Sequence, residues 1–346
     1  MHMADALLSP AVGTTLWAGA VAVGGYASRK LKDRIDDRMI PLMGVLAAFI
    51  FAAQMINFTI PGTGSSGHLG GGMILAILLG PHAAFLSMAS VLTVQALFFA
   101  DGGLLALGCN IWNLGFYPCY LVYPLLYKPL AREGRRSGRV LIASVLSVTA
   151  ALQLGAFSVV LETLLSGRSE LPFGAFLLLM QPIHLAIGIV EGFVTAGVIG
   201  YVGAARPEIL ESAAAARPVA AGVPLAKILA VFAVLAVATG GALTWFASTH
   251  PDGLEWAIEK VTGQSELARQ EHGVAAVFKG LQEKTAFLPD YGFKPAGDEP
   301  KGAATAPSWP GIEAGTSVAG VTGAAIVLCL AGLIGLGIRS VRKKDP

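Results

Sequence analysis

The sequence is poor in charge: Asp, Glu, Lys and Arg make up only 13% of its 346 residues. Soluble globular proteins carry about 25% charged residues, so this chain has too little charge to cover a water-exposed surface, and a soluble enzyme is excluded. The net charge of +2 gives no reason to expect nucleic-acid binding. The three cysteines lie inside apolar runs, where they are typical of small buried side chains rather than of a disulfide framework or a zinc site.

What the sequence has in abundance is long apolar segments. Hydrophobic residues make up 54% of the chain, and a helix needs about 20 of them in succession to cross a bilayer. The pattern predicts an all-α polytopic membrane protein, with seven spans followed by a two-span C-terminal hairpin. The predicted spans are 13–27, 40–57, 69–82, 83–100, 103–126, 140–165, 174–202, 224–248 and 317–338. The third is short, and its boundary at Gly80–Pro81 is equally typical of a break within a re-entrant hairpin.

The basic residues predict the orientation. Four segments that fall on one side of the membrane hold 17 of the 24 Lys and Arg residues, namely 28–38, 128–139, 203–227 and 339–346. Short loops rich in Lys and Arg stay in the cytoplasm. We therefore expect a multi-pass protein of the cell (inner) membrane, with its N-terminus extracytoplasmic and its C-terminus cytoplasmic. The first residues lack the basic region of a signal peptide, so the initiator end is expected to be retained.

Composition divides the chain into two units. The Ala- and Pro-rich segment 203–223 is predicted to be a cytoplasmic linker between a seven-span unit, 1–202, and a two-span unit, 224–346. The second unit encloses an extracytoplasmic segment, 249–316. Within it, the sequence HPDGLEWAIEKV has apolar residues at helical spacing, with Asp252 as a candidate N-cap.

The N-terminus is the feature with the clearest chemistry. A chain that begins Met1-His2 offers the terminal amine, the backbone nitrogen of His2 and the His2 Nδ1 atom, which together close two chelate rings around one metal. Such a nitrogen set favours square-planar coordination, the geometry of Ni(II) or Cu(II). His68 lies in a loop on the same predicted side and is the candidate fourth ligand. The alternative, that His2 is an ordinary polar residue, remains open at this point.

Other sequence features carry less information. The loop PGTGSSGHLGGG lacks the Gly-Lys-Ser/Thr ending of a phosphate-binding loop. Polar residues inside spans are costly and are therefore functional candidates, although helix–helix packing is the more frequent explanation for each of them singly. These residues are Gln54, Asn57, Gln95, Asn110, Asn113, Gln153, Glu162, Gln181, His184 and Glu191. No catalytic motif is present, and neither enzymatic activity nor a cofactor is predicted.

Several separated motifs resemble one known family. The segments MHMADALLSP (1–10), SGHLGGGMILAILLGPHAA (66–84), VQALFFADGGLLALGCNIWN (94–113) and HLAIGIVEG (184–192) are similar to those of the NikM/CbiM type. This family comprises the substrate-binding membrane components (S components) of energy-coupling-factor (ECF) transporters for nickel and cobalt. The segment HPDGLEWA (250–257) resembles the two-span accessory subunit, of NikN type with a PDGLE motif, that some members carry fused at the C-terminus.

The resemblance implies high-affinity uptake of nickel or cobalt as the transported substrate. We expect Ni(II) first and Co(II) second, because affinity rises from cobalt to nickel. The resemblance also implies partners: separate ATP-binding subunits and a membrane coupling (T) subunit. Carried over to this sequence, the metal ligands are the Met1 amine, the backbone nitrogen and imidazole of His2, and His68. The family usually has Ile-Pro-Asp-Gly after Met-His, whereas this chain has Met-Ala-Asp-Ala at 3–6. This difference affects how rigidly the first turn is held, but it removes no metal ligand.

Two other classes of function stay open on the sequence alone. A metal-dependent membrane enzyme would need an open coordination position and a general base. A channel or secondary transporter that works without ATP would need intramembrane carboxylates along a path, and only Glu162 and Glu191 are available.

Overall fold

The computed structural model describes residues 2–131, 137–168, 171–220, 222–264, 267, 273–294 and 309–342. Met1 lies outside the described residues. The helices of the N-terminal unit are α1 (Pro10–Lys32), α2 (Met39–Gln54), α3 (Gly72–Leu79), α4 (Pro81–Phe98), α5 (Leu107–Ile111), α6 (Lys128–Ala131), α7 (Ser137–Ser166) and α8 (Phe173–Ala205). Between α5 and α6 the chain forms wide π-helical turns, Trp112–Tyr127, where Pro118 and Pro124 lack the amide hydrogen that an α-helix needs.

The described residues of the rest of the chain add five helices. They are α9 (Pro207–Ala215), α10 (Ala226–Gly241), α11 (Gly253–Thr262), α12 (Val274–Thr285) and α13 (Ala314–Arg342). Short 3-10 turns occur at Asp5–Leu7, Leu243–Phe246 and Pro289–Tyr291. The described strands form one antiparallel hairpin of β1 (Phe58–Ile60) and β2 (Ser65–Gly67), in which Thr59 pairs with Ser66.

The helices have the character of membrane spans. Four described segments are long and apolar enough to cross a bilayer: Pro81–Phe98, Gly138–Ser166, Phe173–Ala205 and Ala314–Val341. The predicted helical, membrane-type architecture is therefore confirmed, whereas the count of nine spans remains a prediction. Helix α3, inside the third predicted span, has only eight residues and rises about 12 Å, less than half of a bilayer core. It meets α4 at Gly80–Pro81, the break noted in the sequence.

The two units pack against each other along their length. Helix α2 is buried on all sides, because α10 and α13 of the C-terminal unit cover it on one side and α3 and α4 on the other. Helices α7 and α8 form the most extensive pair in the N-terminal unit. The C-terminal helices are thus part of the same bundle.

The predicted basic segments meet at one end of this bundle. Arg339 forms an ion pair with Asp37, and the Arg38 guanidinium donates to the backbone carbonyl of Ala220. Lys128 donates to the carbonyl of Ala214 at 3.0 Å. The opposite end holds the N-terminal residues, the β-hairpin and helices α11 and α12. The residues with metal-ligand chemistry are at this second end.

Candidate metal centre

His2 and His68 lie side by side. Their ring centroids are 5.0 Å apart and the ring planes differ by 11°. Only 7% of the His2 side chain and 9% of the His68 side chain is exposed. Sixty-five residues separate them in the chain, and the fold brings them together as the chelate hypothesis requires. Met1, the third predicted ligand residue, precedes His2 directly but lies outside the described residues.

The orientation of His68 fits a metal ligand. Its Nδ1 lies 3.0 Å from the backbone carbonyl oxygen of Leu69, which can only accept, so Nδ1 carries the proton. The lone pair is then on Nε2. A backbone carbonyl that fixes the tautomer in this way is the usual partner of a metal-binding histidine.

Burial keeps both rings neutral. Loss of hydration lowers the pKa of His2 to about 3, and the same cause lowers the pKa of His68 to about 3. A neutral imidazole is the form that binds a metal. Both rings are therefore neutral throughout the physiological pH range.

The N-terminal segment is held in place by its backbone. Asn110 accepts from the Met3 amide at 2.8 Å and donates to the Met3 carbonyl at 3.3 Å. The Gly103 amide also donates to the Met3 carbonyl, at 2.9 Å. The Asp5 carboxylate accepts from the amide of Ala106 at 2.9 Å. These bonds fix the first turn of the chain without the proline and glycine that the family usually has there.

Glu191 stabilises the loop that carries His68. The carboxylate accepts from the amides of Gly70 and Gly71 at 2.7 and 2.8 Å. Gln54 donates to the Gly70 carbonyl at 2.8 Å. Gly71 has φ +77°, and a Cβ there would lie 2.5 Å from the Ile50 side chain, so only glycine fits. The loop thus enters the bundle as non-helical chain before α3 begins.

Other polar side chains inside the bundle bond to each other. Asn113 donates to Glu162 at 3.0 Å, and Ser158 donates to the same carboxylate at 3.0 Å. Gln153 and Gln181 each donate to the other's backbone carbonyl. His184 bonds through Nδ1 to the Met180 carbonyl at 2.7 Å. Asn113, Glu162, Gln153 and Gln181 support the bundle. His184, by contrast, lines a small cavity together with His68 and Asp252.

Acidic residues that the sequence reasoning did not assign to the site flank the two imidazoles. Asp101 Oδ1 lies 3.3 Å from His2 Nδ1, and Asp252 Oδ2 lies 3.9 Å from His68 Nε2. Tyr291 donates its hydroxyl to Asp101 Oδ2 at 2.5 Å. Burial raises the pKa of Asp101, and it raises the pKa of Tyr291 well above its usual value. Asp252 and Tyr291 both belong to the C-terminal unit.

A cavity of about 310 Å³ opens beside the pair. Its lining includes one lysine, Lys279, and five carboxylates, from Asp5, Asp101, Asp252, Glu255 and Asp290. Clefts lined by one sign of charge concentrate ions of the other sign. The arrangement attracts cations. Within the described residues, no three His, Cys, Asp or Glu side chains form a metal site by themselves.

Comparisons with known proteins show the family to which this chain belongs. Residues 2–209 match the family model CbiM, cobalt uptake substrate-specific transmembrane region, and residues 226–340 match the PDGLE domain. A putative fused nickel transport protein NikMN of Archaeoglobus fulgidus is 34% identical, over 95% of this chain and 96% of its own length. The fused nickel transport protein NikMN of Rhodobacter capsulatus is 32% identical, over 84% and 88%.

A relative of the N-terminal unit and a solved structure extend the comparison. The cobalt transport protein CbiM of Sorangium cellulosum is 30% identical, over 61% of this chain and 95% of its own. A crystal structure of a transition metal transporter is 31% identical with a TM-score of 0.53, over 60% of this chain and 95% of that one. These relatives are transport proteins and not enzymes, as the sequence predicted. The chain belongs to the CbiM family of metal-uptake membrane proteins and carries a fused C-terminal PDGLE domain.

Proposed function

We propose that this chain is the substrate-binding membrane component of an energy-coupling-factor transporter that takes up nickel, with cobalt as the second substrate. The observation that carries the proposal is the buried, neutral and nearly parallel pair of His2 and His68 at the end of the bundle opposite the basic segments. In this proposal that end faces the outside of the cell. The metal is the cargo and not a cofactor.

The ligand set of the proposal has four nitrogens. They are the Met1 amine, the His2 backbone nitrogen, the His2 Nδ1 and the His68 Nε2. The Asn110 and Gly103 bonds to Met3 hold the N-terminal segment close to the His68 loop. Nickel is favoured over cobalt because affinity rises from cobalt to nickel and because the nitrogen set suits square-planar coordination.

Energy must come from other subunits. Residues 1–346 contain no nucleotide-binding loop, so in this proposal two cytoplasmic ATP-binding subunits and a membrane coupling subunit drive release to the inside. A proton-coupled pathway has little support. Glu162 accepts hydrogen bonds from the side chains of Asn113 and Ser158. Glu191 accepts hydrogen bonds from two backbone amides.

Nickel accumulation in cells that lack their own nickel uptake tests this function. The chain would be expressed alone, with its ATP-binding and coupling partners, and with partners that cannot hydrolyse ATP. We expect accumulation above the medium concentration only with active partners. Accumulation by the chain alone, or equal accumulation with inactive partners, would show a channel or a secondary transporter instead.

A further inference from the structure

The PDGLE segment of the C-terminal unit runs directly beside the loop that carries His68. The Ser66 amide donates to the Pro251 carbonyl at 2.8 Å, and the Ser66 hydroxyl donates to the His250 carbonyl at 2.8 Å. Ser66 and Asp252 form a parallel bridge. Asp252 is thereby placed in register with the residue two before His68.

The position of Asp252 is fixed from its other side as well. Helix α11 begins immediately after it, and its Oδ1 accepts from the amides of Leu254 and Glu255 at 2.8 and 2.9 Å. A Cβ on Gly253 would lie 2.7 Å from Ile183 and 3.2 Å from His184, so glycine lets α11 sit close against α8. The other carboxylate oxygen, Oδ2, faces His68.

The distance between Oδ2 and the His68 nitrogen is that of two ligands on one metal. Metal–nitrogen and metal–oxygen bonds are about 2.0–2.2 Å long. Two ligand atoms at a right angle around the metal are therefore roughly 2.9 Å apart, and two ligand atoms on opposite sides of the metal are roughly 4.2 Å apart. The observed separation of 3.9 Å lies between these two values, so Oδ2 has to move about 1 Å towards Nε2 to reach the right-angle position that a ligand outside the plane takes. His68 Nε2 is the lone-pair nitrogen, as its Nδ1 bond to Leu69 shows.

We propose that Asp252 is a fifth ligand, lying out of the plane of the four nitrogens, and that it decides how well the site accepts cobalt. This proposal rests on the proposed function, because the coordination plane it assumes is that of the four N-terminal and imidazole nitrogens. Ni(II) in a plane of four strong nitrogen donors needs no further ligand. Co(II) is better stabilised when an oxygen donor fills a position outside the plane, so coordination geometry separates the two metals.

Substitutions that keep the N-cap of α11 test the role of the Asp252 carboxylate by itself. Serine and asparagine are both good N-cap residues, so Asp252→Ser and Asp252→Asn retain α11. Serine is too short to reach the metal, and asparagine keeps the shape but loses the charge. The matched comparison is Asp101→Asn, because Asp101 flanks the other imidazole and is bonded to Tyr291.

The experiment measures dissociation constants for Ni(II) and Co(II) by chelator competition, on full-length protein with a free N-terminus. The visible spectrum of the Co(II) complex is recorded alongside. For Asp252→Ser we expect the dissociation constant for cobalt to rise by at least about 10-fold, the least that loss of a group supporting a metal ligand costs, and the dissociation constant for nickel to change by less than about threefold. The Co(II) spectrum should change with the loss of the oxygen donor.

Two results would overturn the proposal. One is an equal loss of nickel and cobalt affinity in Asp252→Ser with an unchanged Co(II) spectrum, which would make Asp252 a general counter-charge. The other is a change in the metal ratio in Asp101→Asn and not in Asp252→Ser. Failure of the proposed function gives different results. The unsubstituted protein then binds neither metal, or a residue added before Met1 leaves the affinity for both metals unchanged.

Discussion

His68→Ala is expected to lower the affinity of the purified protein for nickel by more than about 100-fold. Loss of a residue that only supports a metal ligand costs about 10- to 100-fold, and His68 is a proposed ligand itself. Its Nε2 is the lone-pair nitrogen, and its ring lies 5.0 Å from that of His2. The measurement is nickel binding by equilibrium dialysis or chelator competition.

His82→Ala is the matched control for this prediction. His82 lies among the aromatic rings of Tyr26 and Tyr120 and bonds to the Tyr120 hydroxyl at 2.9 Å. It does not line the cavity at the His2–His68 pair. Nickel affinity should be unchanged in this variant. Equal losses in both variants would indicate a general loss of folding, and no loss in His68→Ala would remove His68 from the site.

The affinity for nickel is expected to fall about 100-fold for each unit of pH between pH 7 and pH 5. An α-amino group ordinarily has a pKa of about 7.7–8.0, so below that range metal binding must displace one proton from the amine and one from the backbone amide. The histidines add nothing to this slope. Their pKa values are lowered to about 3, so both rings are already neutral at pH 5.

The slope of affinity against pH distinguishes this structure from a more exposed site. Histidines with the ordinary pKa of about 6.5 would take up protons below pH 6, and the slope would steepen towards four protons per metal. A constant slope of two from pH 7 to pH 5 is the expected result. Chelator competition in a series of buffers measures it, and a slope that steepens below pH 6 would contradict the buried, neutral pair.

The proposed ligands can be named from the sequence alone. Met1-His2 is a chelating unit by its covalent structure, and the distribution of Lys and Arg put His68 on the same side of the membrane. The structure brings the two imidazoles into contact. The helix of the PDGLE segment was also predicted, and α11 does begin after the Asp252 cap, with Glu255 completing a capping box.

The residues around the ligands could not be predicted, because distant pairings decide them. Asp252 is 184 residues from His68 in the chain, and its position depends on the register of the Ser66 bridge. Glu191 lies towards the inner end of its helix when position is judged from sequence. It nevertheless supports the His68 loop, because that loop enters the bundle as non-helical chain and α3 is only eight residues long.

Nickel binding to protein with its native free Met1, beside protein with one extra residue before Met1, tests the central claim most directly. The added residue turns the Met1 amine into an amide and moves the charged terminus away, while leaving His2 and His68 unchanged. We expect tight binding to the native protein, with all four nitrogens on the metal, and its loss on extension. Equal binding by both proteins would contradict the N-terminal chelate and leave the metal site to be sought elsewhere among the polar residues of the bundle.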